Sequence, residues 1–264
     1  MRRSIWVVAS LVFALAVGAT PVLAAPPTND DPSGATVVAD PLPYSNPTNV
    51  TEATTGADDQ PQCDGHPADT NTVWYTYTAS ADQRLVARAS GLDDNSLYVI
   101  EGSPAGSLLG CQSHGSQVVF DAADGTTYYF EIGATFGAVG DGTVTFSLDV
   151  APPPLEVDIR IDPTGSVNNK TGVASISGTV TCNQDAFAFV YGDLRQNIGR
   201  VFTVRGWFGT EMSCSTEPTD WSATITPESG KFAAGKATAS ANIEAYNGIE
   251  GAFDTASGSI RLGR

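Results

Sequence analysis

Apolar and polar side chains alternate with a period of two along most of this chain. Between Gly125 and Gly133, the side chains of Tyr128, Phe130 and Ile132 share one face, and the residues between them share the other. Residues 72–78 repeat this pattern with three apolar or aromatic positions on one side. A period of two is typical of a half-buried β-strand. The pattern therefore predicts an all-β protein in which both segments contribute an aromatic face to a core.

Turn-forming residues separate the predicted strands of the first half at intervals of about ten residues. The separating segments are rich in Gly, Asp and Ser, and no segment keeps a helical period over three turns. Short strands at this spacing favour a sandwich of two antiparallel sheets. The predicted strands are 35–39, 49–53, 72–78, 84–89, 96–101, 118–121, 125–133 and 143–150.

Three consecutive prolines at 152–154 predict a stiff spacer and a domain boundary. We therefore expect a first domain over 25–150, a linker over 151–154 and a second domain over 155–264. The second half again shows only strand and turn patterns, and an immunoglobulin-like sandwich is the expected arrangement. Its predicted strands are 155–161, 173–182, 186–194, 201–208, 221–226, 237–245 and 259–262.

Residues 1–24 have the pattern of a secretory signal peptide. Two arginines precede an apolar run from Ile5 to Val17, and small residues end the segment at Ala24. The run is too short to span a bilayer, and the residue after Ala24 is not the cysteine that a lipid anchor needs. We expect a secreted, extracellular protein without a membrane anchor.

The net charge argues against a nucleic-acid partner. The chain has a formal net charge of −16, most of it in residues 25–150, where 17 Asp and Glu face 2 Arg. Nucleic-acid phosphates require a basic surface. An acidic surface of this kind serves solubility outside the cell, or calcium binding by clustered carboxylates.

The four cysteines fall two to each half, with Cys63 and Cys111 in the first and Cys182 and Cys214 in the second. In a secreted chain this distribution predicts one disulfide per domain. A zinc site is the alternative for the first pair, because His66 and His114 each follow a cysteine at the spacing Cys-x-x-His. The oxidising compartment favours the disulfide over the zinc site.

Several spaced motifs of residues 26–150 come in an order that resembles the bacterial pre-peptidase C-terminal domain. They are the opening 27–31, the strand 72–78, the run 108–111 and the strand 125–130. The resemblance implies a secreted β-sandwich module with an accessory role in secretion, localisation or binding, and without enzymatic activity. It also implies a disulfide between Cys63 and Cys111, and calcium binding as in some relatives. No peptidase domain precedes the module in this chain.

Two groups of residues are the candidates for a binding site. The preferred calcium candidates are Asp93, Asp94 and Asn95, which lie just before a predicted strand, ahead of the clusters at 29–31 and 58–59. For each of these three clusters, local turn formation is the alternative. Arg205 and Trp207 share one face of a predicted strand, where they suit a sugar ring or an acidic partner. The alternative is an arginine stem packed over an aromatic ring.

The sequence contains no recognisable catalytic motif, neither a Gly-x-Ser-x-Gly elbow nor a His-Glu-x-x-His segment. We therefore expect a non-catalytic binding or accessory protein that recognises an extracellular polysaccharide or protein, with structural calcium as its candidate cofactor. The alternatives are a partner or inhibitor of a secreted peptidase and, less favoured, a hydrolase.

Overall fold

The computed structural model is almost entirely β-structure. It describes residues 25–264 except 62, 64, 66–68, 115–116, 138, 140–141 and 200–201. The predicted signal peptide at 1–24 and His66 lie outside the described residues. The expected all-β fold is confirmed. The chain folds as two compact units, of which the first comprises residues up to 78, 88–116 and 126–147, and the second 79–87, 117–125 and 148–264.

In the described part of the chain, nine strands precede the prolines and form two sheets. One sheet has the order β1-β3-β8-β5-β6 and the other β2-β9-β4-β7. The strands are β1 Thr36–Val37, β2 Tyr44–Asn49, β3 Thr70–Thr78, β4 Gln83–Ser90, β5 Asn95–Glu101, β6 Ser107–Ser113, β7 Gln117–Ala122, β8 Thr127–Ala134 and β9 Thr143–Val150.

The core of the first unit lies between these sheets. On β9, the Phe146 ring stacks on Tyr75 of β3 at 4.4 Å between centroids and lies 5.0 Å from Phe130 of β8. Tyr75, Tyr77 and Tyr128 are buried, which confirms their assignment to the core. The alternation predicted for β8 is therefore correct on this face.

The opposite face of β8 differs from the sequence expectation. A half-buried strand would leave Glu131 accessible, whereas its side chain is fully buried. The reason is the segment before β3, which covers this side of the sheet: Gln60 donates its backbone N–H to Glu131, and Cys63 packs with Trp74 and Tyr98. Both faces of β8 are thus buried from Phe130 to Ala134, whereas Thr127 and Tyr129 are half-buried.

Among the described residues, eight strands follow the prolines. One edge of β12 pairs with β10 and β11 and the other with β15, while β11, β17, β16, β13 and β14 form a continuous ladder in that order. The eight strands are hydrogen-bonded into one sheet, antiparallel except for the parallel pair of β11 and β17, whereas an immunoglobulin-like sandwich has two antiparallel sheets. The strands are β10 Val157–Ile161, β11 Thr164–Val167, β12 Ala174–Cys182, β13 Ala186–Ile198, β14 Phe202–Cys214, β15 Thr219–Ile225, β16 Gly235–Tyr246 and β17 Gly251–Gly263.

Alternation along β13, β14 and β16 directs one set of side chains to the core of the second unit. Val190, Val204 and Ile243 are fully buried, and Phe208 stacks on Trp221 at 5.7 Å. Phe202 alternates in phase with the buried Val204 and Phe208 but is about half exposed, because it lies at the first position of β14, where the ring rests against Gly230. The other set of side chains on these strands points away from the core.

Both expected disulfides are present. Cys63 and Cys111 are bonded with their Cα atoms 5.7 Å apart, and Cys182 and Cys214 with theirs 5.6 Å apart. Because the sulfurs of Cys63 and Cys111 are joined to each other, neither is available as a zinc-binding thiolate. The two disulfides fit an extracellular protein. Within the described part of the chain, no helix has the length and apolar character that a membrane span requires.

Candidate ligand-binding face

The outward side of β14, β13, β16 and β17 carries a row of exposed aromatic rings. We call this side of the four strands the outer face. Its rings are between 38% and 58% exposed, except that of Tyr191, which is half-buried. They are Phe187, Phe189, Tyr191, Trp207, Tyr246 and Phe253.

The strand register places these rings on one surface. Phe187 is paired directly with Tyr246, and Phe189 lies in one rung with Glu244 and Phe253. Directly paired residues of an antiparallel sheet point to the same side with their Cβ atoms about 5 Å apart. The rings therefore lie together on one side of the sheet, along and beside β13, and we call them the aromatic platform.

Two neighbouring rings are fixed by their surroundings. Phe189 stacks on Tyr191 at 5.6 Å between centroids, and the Tyr191 hydroxyl donates to Glu244 Oε1 at 2.9 Å. That hydrogen bond raises the pKa of Tyr191. Gly209, the β14 partner of Tyr191, leaves the room that the Phe189 ring occupies, since a Cβ there would lie 2.9 Å from the ring. A side chain at position 209 would displace this part of the platform.

The two predicted ligand-binding residues, Arg205 and Trp207, lie on the same face. The Arg205 guanidinium sits 3.7 Å from the centre of the Trp207 ring, and Trp207 Nε1 donates to Glu228 at 2.7 Å. Asp193 holds two arginines: Arg195 Nε donates to its carboxylate at 2.5 Å, and Arg205 Nε lies at 3.4 Å. The Trp207 ring remains about half exposed, so its free side is accessible to a ligand.

A depression of about 690 Å³ continues the platform at the Phe187–Tyr246 end. It reaches the Cys182–Cys214 disulfide at Cys214 and is bordered by the polar side chains of Ser213 and Asn247. The outer face therefore offers flat aromatic surface and, beside it, groups that form hydrogen bonds.

Sequence reasoning found only one corner of this face. Arg205 and Trp207 were recognised because a charged and an aromatic residue alternate with core residues on one strand. Phe187 and Phe189 alternate with Ala186, Ala188 and Val190 in the same way, and this pattern could have identified them. The small alanines are the buried residues here, and the larger rings are exposed, which reverses the usual relation between size and burial.

The three predicted calcium residues come together at the start of β5, but each has a different environment. Asp94 Oδ1 lies 2.9 Å from His114 Nδ1, while Asn95 is buried. Among the described residues, no group of three or more His, Cys, Asp or Glu side chains is arranged to hold a metal ion. Calcium at Asp93, Asp94 and Asn95 stays a prediction.

The other two acidic clusters bind protein groups. Asp30 accepts hydrogen bonds from the backbone N–H and the hydroxyl of Thr54, both at 2.6 Å. Asp59 accepts from Thr72 Oγ1 at 2.8 Å and from Trp74 Nε1 at 3.3 Å. These carboxylates fix the segment that covers β3 and β8.

A buried polar cluster lies beneath that segment. Trp74, Glu131 and Tyr98 form one rung across β3, β8 and β5. Glu131 Oε2 accepts from the Gln60 N–H at 2.9 Å, whereas Oε1 has no hydrogen-bond partner among the described residues. Burial raises the pKa of Glu131 to about 9, and it also raises that of Asp69. Glu131 is therefore protonated at neutral pH.

The solved structures that resemble the chain include bacterial β-glucuronidases. β-Glucuronidase 2 of Bacteroides uniformis is 11% identical over 83% of this chain and 32% of its own, with a TM-score of 0.22. The Ruminococcus gnavus enzyme is 12% identical over 72% of this chain and 36% of its own, with a TM-score of 0.26. This chain thus spans about a third of their length, and likeness at these values carries no argument about function.

No protein-family model and no curated protein matches the chain. The resemblance of residues 26–150 to the bacterial pre-peptidase C-terminal domain therefore stays a prediction.

Proposed function

We propose that this is a secreted, non-catalytic binding protein that holds an extended sugar polymer on the outer face of the second unit. The observation that supports the proposal most directly is the row of exposed aromatic rings on β13, β14, β16 and β17. Exposed apolar surface that is gathered in one place, rather than scattered, marks an interaction site.

The composition of the face favours a sugar over a protein partner. Glu244 lies between Phe189 and Phe253 in one rung, and Asp193 lies beside Trp207 in another. The centre of a protein–protein interface is depleted of charged residues. A sugar ring presents an apolar face and polar edges, which match rings that alternate with hydrogen-bonding groups.

The dimensions of the face suit a chain rather than a single sugar. Phe187 and Asp193 are six residues apart on β13, a distance of about 20 Å at the rise of a β-strand. A linear polymer lying along β13 therefore contacts several rings at once, and contacts that are weak individually add up along it.

Affinity electrophoresis of the purified protein in gels that contain soluble polysaccharides tests this proposal. We expect at least one neutral or acidic polymer to retard the wild-type protein, and Trp207→Ala and Phe189→Ala to weaken that binding about tenfold each. Leu108→Ala is the control, because Leu108 is also exposed but lies on β6 of the first unit.

Two results would contradict the proposal. One is the absence of retardation by any polysaccharide; the other is an equal loss of binding in Leu108→Ala and Trp207→Ala. The alternative of a peptidase partner would be favoured if the wild-type protein captured a secreted peptidase, bound no polysaccharide, and lost the peptidase on Trp207→Ala.

A further inference from the structure

The cations of the outer face are gathered at one end. Arg205 is paired with Arg195 across β14 and β13, and Lys236 is paired with Arg261 across β16 and β17. Thr238 connects the two pairs, as it is the β16 partner of Arg195 and lies two positions from Lys236. Four of the 13 Lys and Arg residues of the chain thus share one end of one sheet face.

This end of the face keeps a net positive charge. Asp193 is mostly buried and offsets part of the charge of Arg195 and Arg205. Lys236 and Arg261 are exposed and form no ion pair with any residue that the structure describes. The neighbouring outward positions on β16 and β17 are serines and threonines, which carry no opposing charge.

The cationic end contains its own depression of about 740 Å³. Arg195 and Lys236 line it together with Asn197, Thr203 and Thr238. Charged donors and neutral hydrogen-bonding groups therefore surround a space that adjoins the aromatic platform. Arg205 joins the two regions, because its guanidinium stacks on Trp207 and pairs with Asp193.

Charge complementarity identifies the occupant of this depression. The chain as a whole has a net charge of −16, so a polyanion is repelled from most of its surface. A local group of cations in such a protein attracts anionic groups at that place alone. We propose that the ligand of the outer face is an anionic polysaccharide whose carboxylate or sulfate groups bind in the depression between Arg195 and Lys236 while its sugar rings stack on the aromatic platform.

This inference rests on the proposed sugar-binding function and adds the charge of the ligand. A single-stranded nucleic acid also combines stacking bases with negative charge. The overall acidity of the protein disfavours it, because every phosphate beyond the depression would lie near repelling carboxylates.

The test uses pairs of polymers that share a backbone and differ in charge. Polygalacturonate is compared with its methyl ester, dextran sulfate with dextran, and oligodeoxythymidylate serves as the nucleic acid. We expect the wild-type protein to bind one or both charged polymers about tenfold more tightly than the neutral counterpart at ~50 mM salt. The preference shrinks at ~500 mM salt because exposed charges are screened.

The double variant Lys236→Gln/Arg261→Gln should lose most of this preference and keep its affinity for the neutral polymer. Its control is Arg160→Gln/Lys170→Gln, which removes the same charges from exposed positions outside the outer face and should bind like the wild type. The Trp207→Ala variant should lose affinity for the charged and the neutral polymer alike.

The outcomes separate the two proposals. In one outcome, the protein binds charged and neutral polymers equally, and Trp207→Ala weakens both. This result would overturn the proposal of an anionic ligand and leave the sugar-binding function intact. A charge preference that survives in Lys236→Gln/Arg261→Gln, or equally tight binding of oligodeoxythymidylate, would also overturn it. Binding of no polysaccharide at all would overturn both proposals.

Discussion

Glu131 shows how a single buried carboxyl group makes stability depend on pH. The group is protonated in the folded state up to a pKa of about 9, whereas in the unfolded chain it ionises near the ordinary glutamate pKa of 4.5. Between these values the folded state holds a proton that the unfolded state has released, so the free energy of unfolding falls as pH rises. The stability that this bound proton contributes is fully present below pH 4.5 and is lost as the pH rises through about 9.

The Glu131→Gln variant removes this dependence, because glutamine is neutral at every pH and fills nearly the same volume. Between about pH 5 and pH 9, we expect the free energy of unfolding of the wild type to fall relative to that of the variant. The difference between the two grows by up to about 1.4 kcal/mol per pH unit. Urea unfolding at several pH values measures it.

Glu52→Gln is the matched control for Glu131→Gln, since Glu52 is exposed in the same unit. A constant difference between Glu131→Gln and wild type across this pH range would show that Glu131 is ionised in the folded protein.

Asp193 has a different role, because its mostly buried carboxylate separates two arginines that are paired across β13 and β14. Asp193→Asn leaves Arg195 and Arg205 next to each other without an opposing charge. We expect the free energy of unfolding to fall by about 1–3 kcal/mol. Asp158→Asn breaks the exposed pair with Arg160 and should cost less than about 1 kcal/mol. Equal effects of the two variants in thermal unfolding would contradict this role of Asp193.

At the scale of the strands, the sequence predicted strands with a regularly alternating, buried face better than strands without one. β3 and β8 carry regular alternation and were recognised within two residues. β6 was missed because it is the last strand of its sheet, and Leu108 and Leu109 are both exposed, so its pattern has no buried face to reveal it. β2 was placed too late because Pro47 argues against a strand; at the edge of its sheet the missing N–H is tolerated.

β17 was predicted over 259–262 and extends over Gly251–Gly263. Its first half is built from Gly, Ala, Asp, Thr and Ser beside a single large apolar side chain, Phe253, so neither strand propensity nor alternation is strong. Pairing with the full length of β16 is what keeps it extended. The outer face was therefore hidden from sequence reasoning, since it depends on the register of four strands that are far apart in sequence.

Gly209 provides an element-scale test of how the platform is shaped. In Gly209→Ala, the new Cβ would lie 2.9 Å from the Phe189 ring, which must move. Because the ring is at the end of a flexible, exposed side chain, we expect a change in the free energy of unfolding below about 1 kcal/mol. Polysaccharide affinity should fall severalfold, measured by affinity electrophoresis.

Gly258→Ala on β17 is the control for Gly209→Ala, because a Cβ at position 258 meets no atom within 4 Å. Unchanged affinity in Gly209→Ala would exclude the Phe189 position from the binding surface.

At the scale of the whole molecule, each compact unit contains one of the two disulfides that the structure describes. Cys63–Cys111 spans 48 residues and fixes the segment over the buried face of β3 and β8, whereas Cys182–Cys214 spans 32 residues and joins the ends of β12 and β14. Loops of these lengths predict a stabilisation of about 4 kcal/mol per disulfide on the chain-entropy model. The distribution of the cysteines predicted both pairs once an oxidising compartment was expected, while the domain boundary at the prolines stays a prediction.

The double variants Cys63→Ala/Cys111→Ala and Cys182→Ala/Cys214→Ala should each lose about 4 kcal/mol in the free energy of unfolding. Hydrogen exchange followed by mass spectrometry locates the loss, and we expect the largest fall in amide protection in the unit that contains the deleted bond. Wild type in the oxidised form is the reference. Polysaccharide binding below the unfolding transition should survive in Cys63→Ala/Cys111→Ala, because the outer face belongs to the other unit. Loss of that binding while the second unit keeps its protection would place part of the binding surface in the first unit.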